Sequence, residues 1–243
     1  MNFCNILGVN IAVTNLSETV RYIEEKLEEL RGNYICLSNV HTTITAYEEE
    51  EYMEIQNGGA LALPDGNPLS IVSKRRGFKN AKRVAGPDLM GALFKESEVK
   101  GYNHYFYGST EETLKLLKIN LKYKYPKLNI VGIYSPPFKS EVSLENEDVL
   151  NEINFNNSDF LWVGLGAPKQ EKWMYIHKNR VNAIMIGVGA GFDYYAENIK
   201  RAPIWMQKLS LEWFYRLIQE PKRLFIRYLR TNIKFIWKVI REK

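Results

Sequence analysis

Six short apolar runs, most of them separated by helical patterns, constrain the fold of this 243-residue chain more than any other feature. Their polarity does not alternate, which indicates strands that are buried on both faces. Such strands, alternating with helices, are typical of a mainly parallel sheet covered by helices on both sides. We therefore predict an α/β, Rossmann-like fold whose ligands bind at the carboxyl ends of the strands. The predicted strands cover residues 34–40, 60–63, 103–108, 129–134, 159–166 and 183–189.

The pattern changes after Asp193, where no further strand is expected. Pro221 should divide this last part of the chain into two helices, because proline breaks a helix interior. Residues 198–243 contain 12 Lys or Arg and 3 Asp or Glu, whereas the whole chain has a net charge of only +5. We predict a catalytic α/β domain over residues 1–196 and a basic, amphipathic helical appendage over residues 197–243.

The second predicted helix of the appendage has a basic stripe opposite an apolar face. Its basic residues recur at intervals of three or four and so fall on one side of an α-helix. This arrangement is typical of helices that lie in a membrane interface, and we predict an anionic membrane surface as a partner. Packing of the helix on the body, or on a neighbouring subunit of a homo-oligomer, is the alternative. The stripe consists of Arg223, Arg227, Arg230, Lys234, Lys238 and Arg241.

The cysteine content and the N-terminus favour a cytoplasmic location. Two cysteines make no disulfide framework, and no CxxC or Cys/His cluster indicates zinc. The first residues lack the regions of a signal peptide, and no run of apolar residues is long enough to cross a bilayer. We expect a peripheral protein on the inner face of the plasma membrane. Nucleic acid is not expected as a partner, because the body is acidic and no recognition motif is present.

Loops with glycine, amide or hydroxyl groups follow the predicted strands. Glycine lets a ligand approach backbone N–H groups, and a helix start capped by Ser109, as we predict, suits phosphate. We expect a nucleotide, although neither a GxGxxG fingerprint nor a P-loop is present. No DxD pair offers ligands to a metal on a diphosphate, so no metal or cofactor is predicted. The candidate nucleotide-binding residues are Asn39, Thr42, Gly108, Ser109, Gly166, Lys169, Gln170 and Asp193.

The segment LPDG (63–66) ends a predicted strand with a carboxylate, Asp65, at the tip of a turn. Asp and Gly are ordinary turn formers, which is one interpretation. The other is that Asp65 is a general base at the ligand end of the sheet, since an aspartate with its usual pKa of about 4 is ionised at pH 7. The residues alone leave both interpretations open.

Several segments taken together resemble the WecG/TagA/CpsF glycosyltransferases of bacterial cell-surface polymer synthesis. They occur in the order of the family and cover nearly the whole chain. The segments are LPDG (63–66), RVAGPDLM (83–90), GST with its helix (108–113), VGLGAPKQEKW (163–173), GVGAGFD (187–193) and KRAP…QKLSLEWFYRLIQEPKR (200–223).

The resemblance implies an inverting, metal-independent transferase. Its donor would be a UDP-sugar, its acceptor a sugar on a polyprenyl diphosphate, and its product part of a surface polysaccharide or teichoic acid. The transferred sugar would be N-acetylmannosamine or a related hexose. The resemblance also implies that Asp65 is the general base and that Arg216 and Arg223 contact the diphosphate. For the mechanism that follows, we expect Asn39 and Gln170 to hold sugar or uridine hydroxyls. The appendage would bring the enzyme to the membrane and close the active site.

Two positions depart from the family pattern. Leu37-Ser38-Asn39 stands where the mannosaminyl transferases have Thr-Pro-Asn, which leaves the donor sugar open. Glu197 replaces a glycine before the KRAP segment, at the hinge into the appendage. Two other classes of protein remain as alternatives: a nucleotide-sugar oxidoreductase or epimerase, and a non-catalytic membrane-binding module.

Overall fold

The computed structural model describes residues 1–138, 142–209 and 211–242, with only the backbone of Lys208, Arg223 and Arg227. The strands in these residues are β1 (Asn2–Ile6), β2 (Val9–Val13), β3 (Tyr34–Ser38), β4 (Leu61–Pro64), β5 (Asn103–Gly108), β6 (Asn129–Tyr134), β7 (Phe160–Gly164) and β8 (Ile184–Gly187). They form one sheet in the order β1-β2-β4-β3-β8-β7-β5-β6. Every neighbouring pair is parallel except the β1–β2 hairpin. The predicted α/β fold with a mainly parallel sheet is confirmed.

Helices cover both faces of this sheet, as predicted. The helices of the body are α1 (Leu16–Glu25), α2 (Leu27–Leu30), α3 (Val40–Glu48), α4 (Glu50–Gly58), α5 (Asn67–Arg75), α6 (Gly86–Lys100), α7 (Glu111–Lys124), α8 (Glu147–Phe155), α9 (Lys169–Ile176) and α10 (Gly191–Tyr195). Adjacent residues of β3 show the two faces. Ile35 belongs to the apolar cluster that includes α1, α6 and α7, whereas Cys36 belongs to the cluster that includes α8 and α9. Both residues are fully buried, which explains the absence of polarity alternation.

Local structure differs from the prediction at three points. The sequence predicts one helix from the Asn15 cap through Leu30 and another over residues 41–58. In the structure the first is interrupted at Lys26 and the second at Glu49, whose backbone is extended. The β1–β2 hairpin was not predicted. Its turn has positive φ angles at Leu7 and Gly8, 51° and 91°, as a two-residue hairpin turn requires. Three of the five residues of β1 are exposed, so the strand lacks the apolar signature that revealed the others.

The appendage contains α11 (Ile204–Lys208), α12 (Glu212–Gln219) and α13 (Pro221–Arg241). The predicted division of the segment at Pro221 is confirmed. Helix α13 packs along α3 of the body, and its Leu224 and Phe235 are buried. Among the described residues, no helix combines the length and the apolar character needed to cross a bilayer.

Candidate active site

The predicted site residues lie at one edge of the sheet. Asn39 follows β3, Asp65 follows β4, and three loops with glycine follow β5, β7 and β8. The strand order brings these ends together as β4-β3-β8-β7-β5. In the register of the sheet, Ser38 lies opposite Pro64, and Gly108 lies opposite Gly164. This carboxyl-terminal edge, called the crevice below, is the place at which open α/β sheets bind their ligands.

Gly108 and Gly166, in two of the loops, have backbone angles that favour glycine. Gly108 has a φ of 115°, and a Cβ there would lie 2.8 Å from the backbone carbon of Gly164. Gly166 has a φ of 79° with no atom within 4 Å of a hypothetical Cβ, so its backbone faces open space. A positive φ is readily adopted only by glycine. These loops present backbone to the crevice, as phosphate binding requires.

Gln170 joins two of these loops from beneath. Its side chain is buried, and its Oε1 accepts hydrogen bonds from the backbone N–H groups of Gly166 and Gly189, at 3.1 and 3.0 Å. Its Nε2 donates to Glu171 Oε1 at 2.8 Å. The sequence predicted that Gln170 would contact the ligand. In the structure its polar atoms bond within the protein and fix the spacing of the glycine loops.

A buried polar chain extends from Glu171 and was not predicted. Tyr52 donates to Glu171 Oε2 at 3.1 Å, Gln56 donates to the Tyr52 hydroxyl, and Ser38 donates to Gln56 Oε1. Burial raises the pKa of the Glu171 carboxyl group. The chain connects the end of β3 with the two loops that Gln170 holds. The glutamate in the GAPKQEKW segment was the signal that could have revealed it.

Asn39 and Thr42 form the N-terminal cap of α3. Asn39 Oδ1 accepts from the backbone N–H groups of His41 and Thr42, and Thr42 Oγ1 accepts from the Asn39 N–H at 2.8 Å. This is a capping box. Thr42 is only 1% exposed. The predicted pair therefore lies at the crevice, with the hydroxyl of Thr42 engaged in the helix cap.

The other predicted nucleotide residues flank the crevice. The sequence predicted that Ser109 caps α7, and this was wrong. The cap is Thr110, whose Oγ1 accepts from the Thr113 N–H. Ser109 has a φ of 59°. Lys169 Nζ lies 4.8 Å from the centroid of the Phe138 ring. Asp193 Oδ1 accepts from Asn198 Nδ2 at 3.3 Å.

Asp65 lies at the tip of the turn after β4, and its backbone N–H donates to Ser38 O at 2.8 Å. Burial raises the pKa of Asp65 to about 6, although the guanidinium groups of Arg83 and Arg216 act in the opposite direction. The expectation of an ordinary pKa was therefore wrong, because protein atoms surround much of the turn, although 29% of the Asp65 side chain stays exposed. The group remains mainly ionised above pH 7 and binds a proton more strongly than an exposed aspartate.

Arg83 connects Asp65 to the appendage and was not predicted as a site residue. Its Nη2 lies 3.8 Å from Asp65 Oδ1, and its Nε donates to the Asp65 carbonyl oxygen at 3.2 Å. Its Nη1 pairs with Glu212 of α12, which also pairs with Arg201. Arg201 in turn forms a bidentate pair with Asp88, at 2.6 and 2.7 Å. The side chains of Arg83, Glu212, Arg201 and Asp88 thus hold the appendage beside the Asp65 turn.

Arg216, the first of the two predicted diphosphate ligands, lies near Asp65. Its positive charge lowers the pKa of Asp65, so the two groups interact. Its Nε is buried, 3.6 Å from Glu220 Oε2, and forms no hydrogen bond with any described residue. A buried donor without a partner suits an anionic ligand. The side chains of Arg223 and Arg227, the second predicted diphosphate ligand and the first predicted membrane contact, lie outside what the structure describes.

Glu212→Gln should loosen this attachment. We expect a loss of about 1–3 kcal/mol in the free energy of unfolding, because Arg83 loses its charged partner at a partly buried position. Denaturant titration measures the loss. The control is Glu111→Gln, which breaks an exposed pair with Lys115 at 3.8 Å and should change little. Equal losses in the two variants would contradict the role of Glu212.

Helix α13 presents an apolar surface away from the body. Two lysines of the basic stripe face the body and not this surface. Lys234 pairs with Glu48 and Lys238 donates to the Tyr47 hydroxyl, so both lysines contact α3. Arg230 and Arg241 are exposed beside the apolar surface. The predicted alternative, packing on the body, thus applies to the lysines. The exposed surface, called the outer apolar face, consists of Phe225, Ile226, Leu229, Ile233, Ile236, Trp237 and Ile240.

The described residues contain no group of three His, Cys, Asp or Glu side chains that could hold a metal ion. The positive charges that act on Asp65 include those of Arg83 and Arg216.

Comparison with known proteins agrees with this geometry. The profile described as Glycosyl transferase WecG/TagA/CpsF family matches residues 4–243. The chain belongs to this family. It is therefore a glycosyltransferase of the hexosyl-transferring kind.

Two curated relatives carry the name N-acetylglucosaminyldiphosphoundecaprenol N-acetyl-beta-D-mannosaminyltransferase. The protein of Bacillus subtilis (strain 168) is 31% identical over 221 residues, which cover 90% of this chain and 83% of the relative. The protein of Staphylococcus aureus (strain MW2) is 28% identical over 242 residues, which cover 98% of this chain and 92% of the relative. The similarity includes the appendage, because the family profile extends to the last residue of the chain.

Proposed function

We propose that the chain transfers N-acetylmannosamine or a related hexose from a UDP-sugar to the sugar of a polyprenyl-diphosphate acceptor. The transfer inverts the anomeric carbon and needs no metal, and it serves surface polysaccharide or teichoic acid synthesis. The observation that carries the proposal is the position of Asp65. It lies at the ligand edge of the sheet, with a pKa of about 6 and two arginines acting on it. The names of the relatives support the acceptor and the transferred sugar.

In the proposed mechanism, Asp65 removes the proton of the acceptor hydroxyl as this oxygen attacks the anomeric carbon. The bond between that carbon and the β-phosphate oxygen breaks on the opposite face, which inverts the centre, and UDP leaves with the electron pair. A base with a raised pKa gains driving force for proton transfer while staying ionised at neutral pH.

The charge of the leaving UDP needs stabilisation in the transition state. We propose that the guanidinium of Arg216 provides it, together with backbone N–H groups of the glycine loops other than those of Gly166 and Gly189, which already donate to Gln170. An arginine can donate two parallel hydrogen bonds to a phosphate group. These groups would let the proposed transfer proceed without a divalent metal.

We also propose that the enzyme associates peripherally with the inner face of the plasma membrane through the outer apolar face. A lipid-linked acceptor resides in the membrane, and α13 combines exposed aliphatic and aromatic side chains with the flanking cations Arg230 and Arg241. Both are properties of interfacial helices.

A UDP-release assay tests the proposal. Purified protein is incubated with several UDP-sugars and a short-chain lipid diphosphate-GlcNAc, with and without EDTA. We expect acceptor-dependent UDP release that EDTA does not reduce, and a product whose anomeric configuration by NMR is opposite to that of the donor. Reactions without acceptor are the control. Release that requires a divalent metal, or a product with retained configuration, would contradict the mechanism.

A further inference from the structure

A pocket of about 460 Å³ lies between α5 of the body and α11 of the appendage, next to the Asp65 turn. It is distinct from the crevice over the glycine loops, because it lies beyond β4 on the side of β1 and β2, which α5 contacts. The lining residue Lys82 lies next to β2, since its backbone N–H donates to Thr14 O just after that strand. The side chains that matter in its lining are Ser70, Ile71, Lys74, Lys82, Arg83 and Ile204.

The charges of the pocket are all positive. Lys74 and Lys82 are exposed and form no ion pair with any described residue, and the lining contains no carboxylate. Arg83 adds a guanidinium that is shared with Glu212 and Asp65. Three cations around a cavity of this size attract a compact dianion or trianion, and a diphosphate has the matching charge and number of acceptor oxygens.

Ser70 provides an independent observation. Its side chain is 3% exposed and lines the pocket, yet its Oγ has no hydrogen-bond partner among the described residues. A buried hydroxyl without a partner costs free energy unless a ligand satisfies it. A phosphoryl oxygen in the pocket would accept this hydrogen bond.

The rim of the pocket is apolar. Ile71 and Ile204 are 44% and 71% exposed, and α11 continues with exposed Trp205. A free inorganic anion or a nucleotide would gain nothing from these side chains. A ligand with a diphosphate head and a hydrocarbon tail would contact the cations with its head and the rim with its tail.

We propose that this pocket binds the diphosphate and the first isoprenoid units of the lipid-linked acceptor. The proposal rests on the proposed function, whose reaction it deepens. It agrees with the sheet order: the glycine loops lie on the β3 and β8 side of Asp65, and the pocket lies on the β2 side. The general base is then located between donor and acceptor, where a proton must be removed from the attacking hydroxyl.

Binding of defined probes to the full-length protein tests the assignment. Isothermal titration compares farnesyl diphosphate, farnesol and UDP on the wild type and on Lys74→Ala/Lys82→Ala. We expect the Kd of farnesyl diphosphate to rise about tenfold or more, because two charge-assisted contacts are lost. The Kd of UDP should not change. Arg75→Ala/Lys79→Ala removes two exposed charges from the same segment outside the pocket and should bind all probes as the wild type does.

Each contrary result has a definite meaning. Unchanged affinity of the lysine variant for farnesyl diphosphate, or no binding by the wild type, overturns the assignment. A parallel loss of UDP affinity overturns it as well, because the pocket then belongs to the donor. If the lysines govern probe binding while the wild type transfers no sugar from any UDP-sugar, the proposed function fails and the isoprenoid-diphosphate site stands.

Discussion

Asp65→Asn should lower the rate of sugar transfer by about 10²–10⁴, the usual effect of removing a general base. Asparagine has nearly the same shape, so the turn and its hydrogen bond to Ser38 O are retained. What is lost is the ability to accept the proton of the acceptor hydroxyl. Initial rates of UDP release at saturating donor and acceptor measure the effect on kcat, and the KM for the donor should change little.

The pH dependence of the wild type gives a second readout of the same group. Since burial raises the pKa of Asp65 to about 6, kcat/KM should fall about tenfold per pH unit below that value. A base with an ordinary pKa would keep its activity down to a pH of about 4. A profile that is flat between pH 5 and 7 would contradict the assignment of Asp65.

Stability separates this effect from misfolding. A carboxyl group whose pKa is higher in the folded than in the unfolded state stabilises the protein below its unfolded pKa, and this contribution is lost as the pH rises through the folded pKa. At pH 7.5 the Asn variant should therefore be at least as stable as the wild type. The control is Asp159→Asn at the opposite end of the sheet, where Asp159 pairs with Arg31. It should lose stability and keep its kcat, and an inactive control would point to a general defect.

The parallel core could be predicted because most of its strands are buried on both faces, as NHYFYG (103–108) is. The run NIVGIY (129–134) is only partly buried at the edge of the sheet, and its apolar composition predicted it. Both runs have the same bounds in the structure as in the prediction. The β1–β2 hairpin was missed by the same criterion, because asparagines interrupt the apolar pattern of both strands and three of the five residues of β1 are exposed. The break at Glu49 was missed because both flanking segments have helical composition, and only tertiary packing decides where one helix ends.

The sequence could predict the location of the candidate site but not its long-range ion pairs. Strand ends of a parallel sheet meet at one edge, so the motifs after β3, β4, β5, β7 and β8 had to converge. The ion pair between Arg83 and Glu212 joins residues 129 positions apart, and no local pattern indicates it. The raised pKa of Asp65 has a similar origin, since the groups that surround its carboxylate, among them Glu212 of the appendage, come from distant parts of the chain.

Replacing two isoleucines of the outer apolar face should nearly abolish membrane binding. Ile233 and Ile240 are 62% and 72% exposed on α13, so substitution does not disturb the packing against α3. Each buried aliphatic side chain contributes about 1.5–3 kcal/mol in an apolar environment. Ile233→Glu/Ile240→Glu should therefore lower the partition coefficient to vesicles of phosphatidylglycerol and phosphatidylcholine about 10²-fold or more.

The body provides a matched control for this variant. Val99→Glu/Ile119→Glu introduces the same two charges at positions that are 86% and 64% exposed but belong to α6 and α7. This variant should sediment with vesicles as the wild type does, except for the small effect of net charge. Raising the salt concentration should weaken wild-type binding only in part, because screening acts on Arg230 and Arg241 and not on apolar burial.

The same pair of variants distinguishes a membrane from a second subunit. If the outer apolar face is a subunit contact, the wild type sediments as a dimer in solution, and the α13 variant becomes a monomer without any change in vesicle binding. If it is a membrane contact, the variant also loses transfer to a long-chain acceptor presented in vesicles, whereas it keeps transfer to a short-chain acceptor in solution. Activity on the soluble acceptor is decisive because the α13 substitutions leave Asp65, Arg83 and Glu212 unchanged.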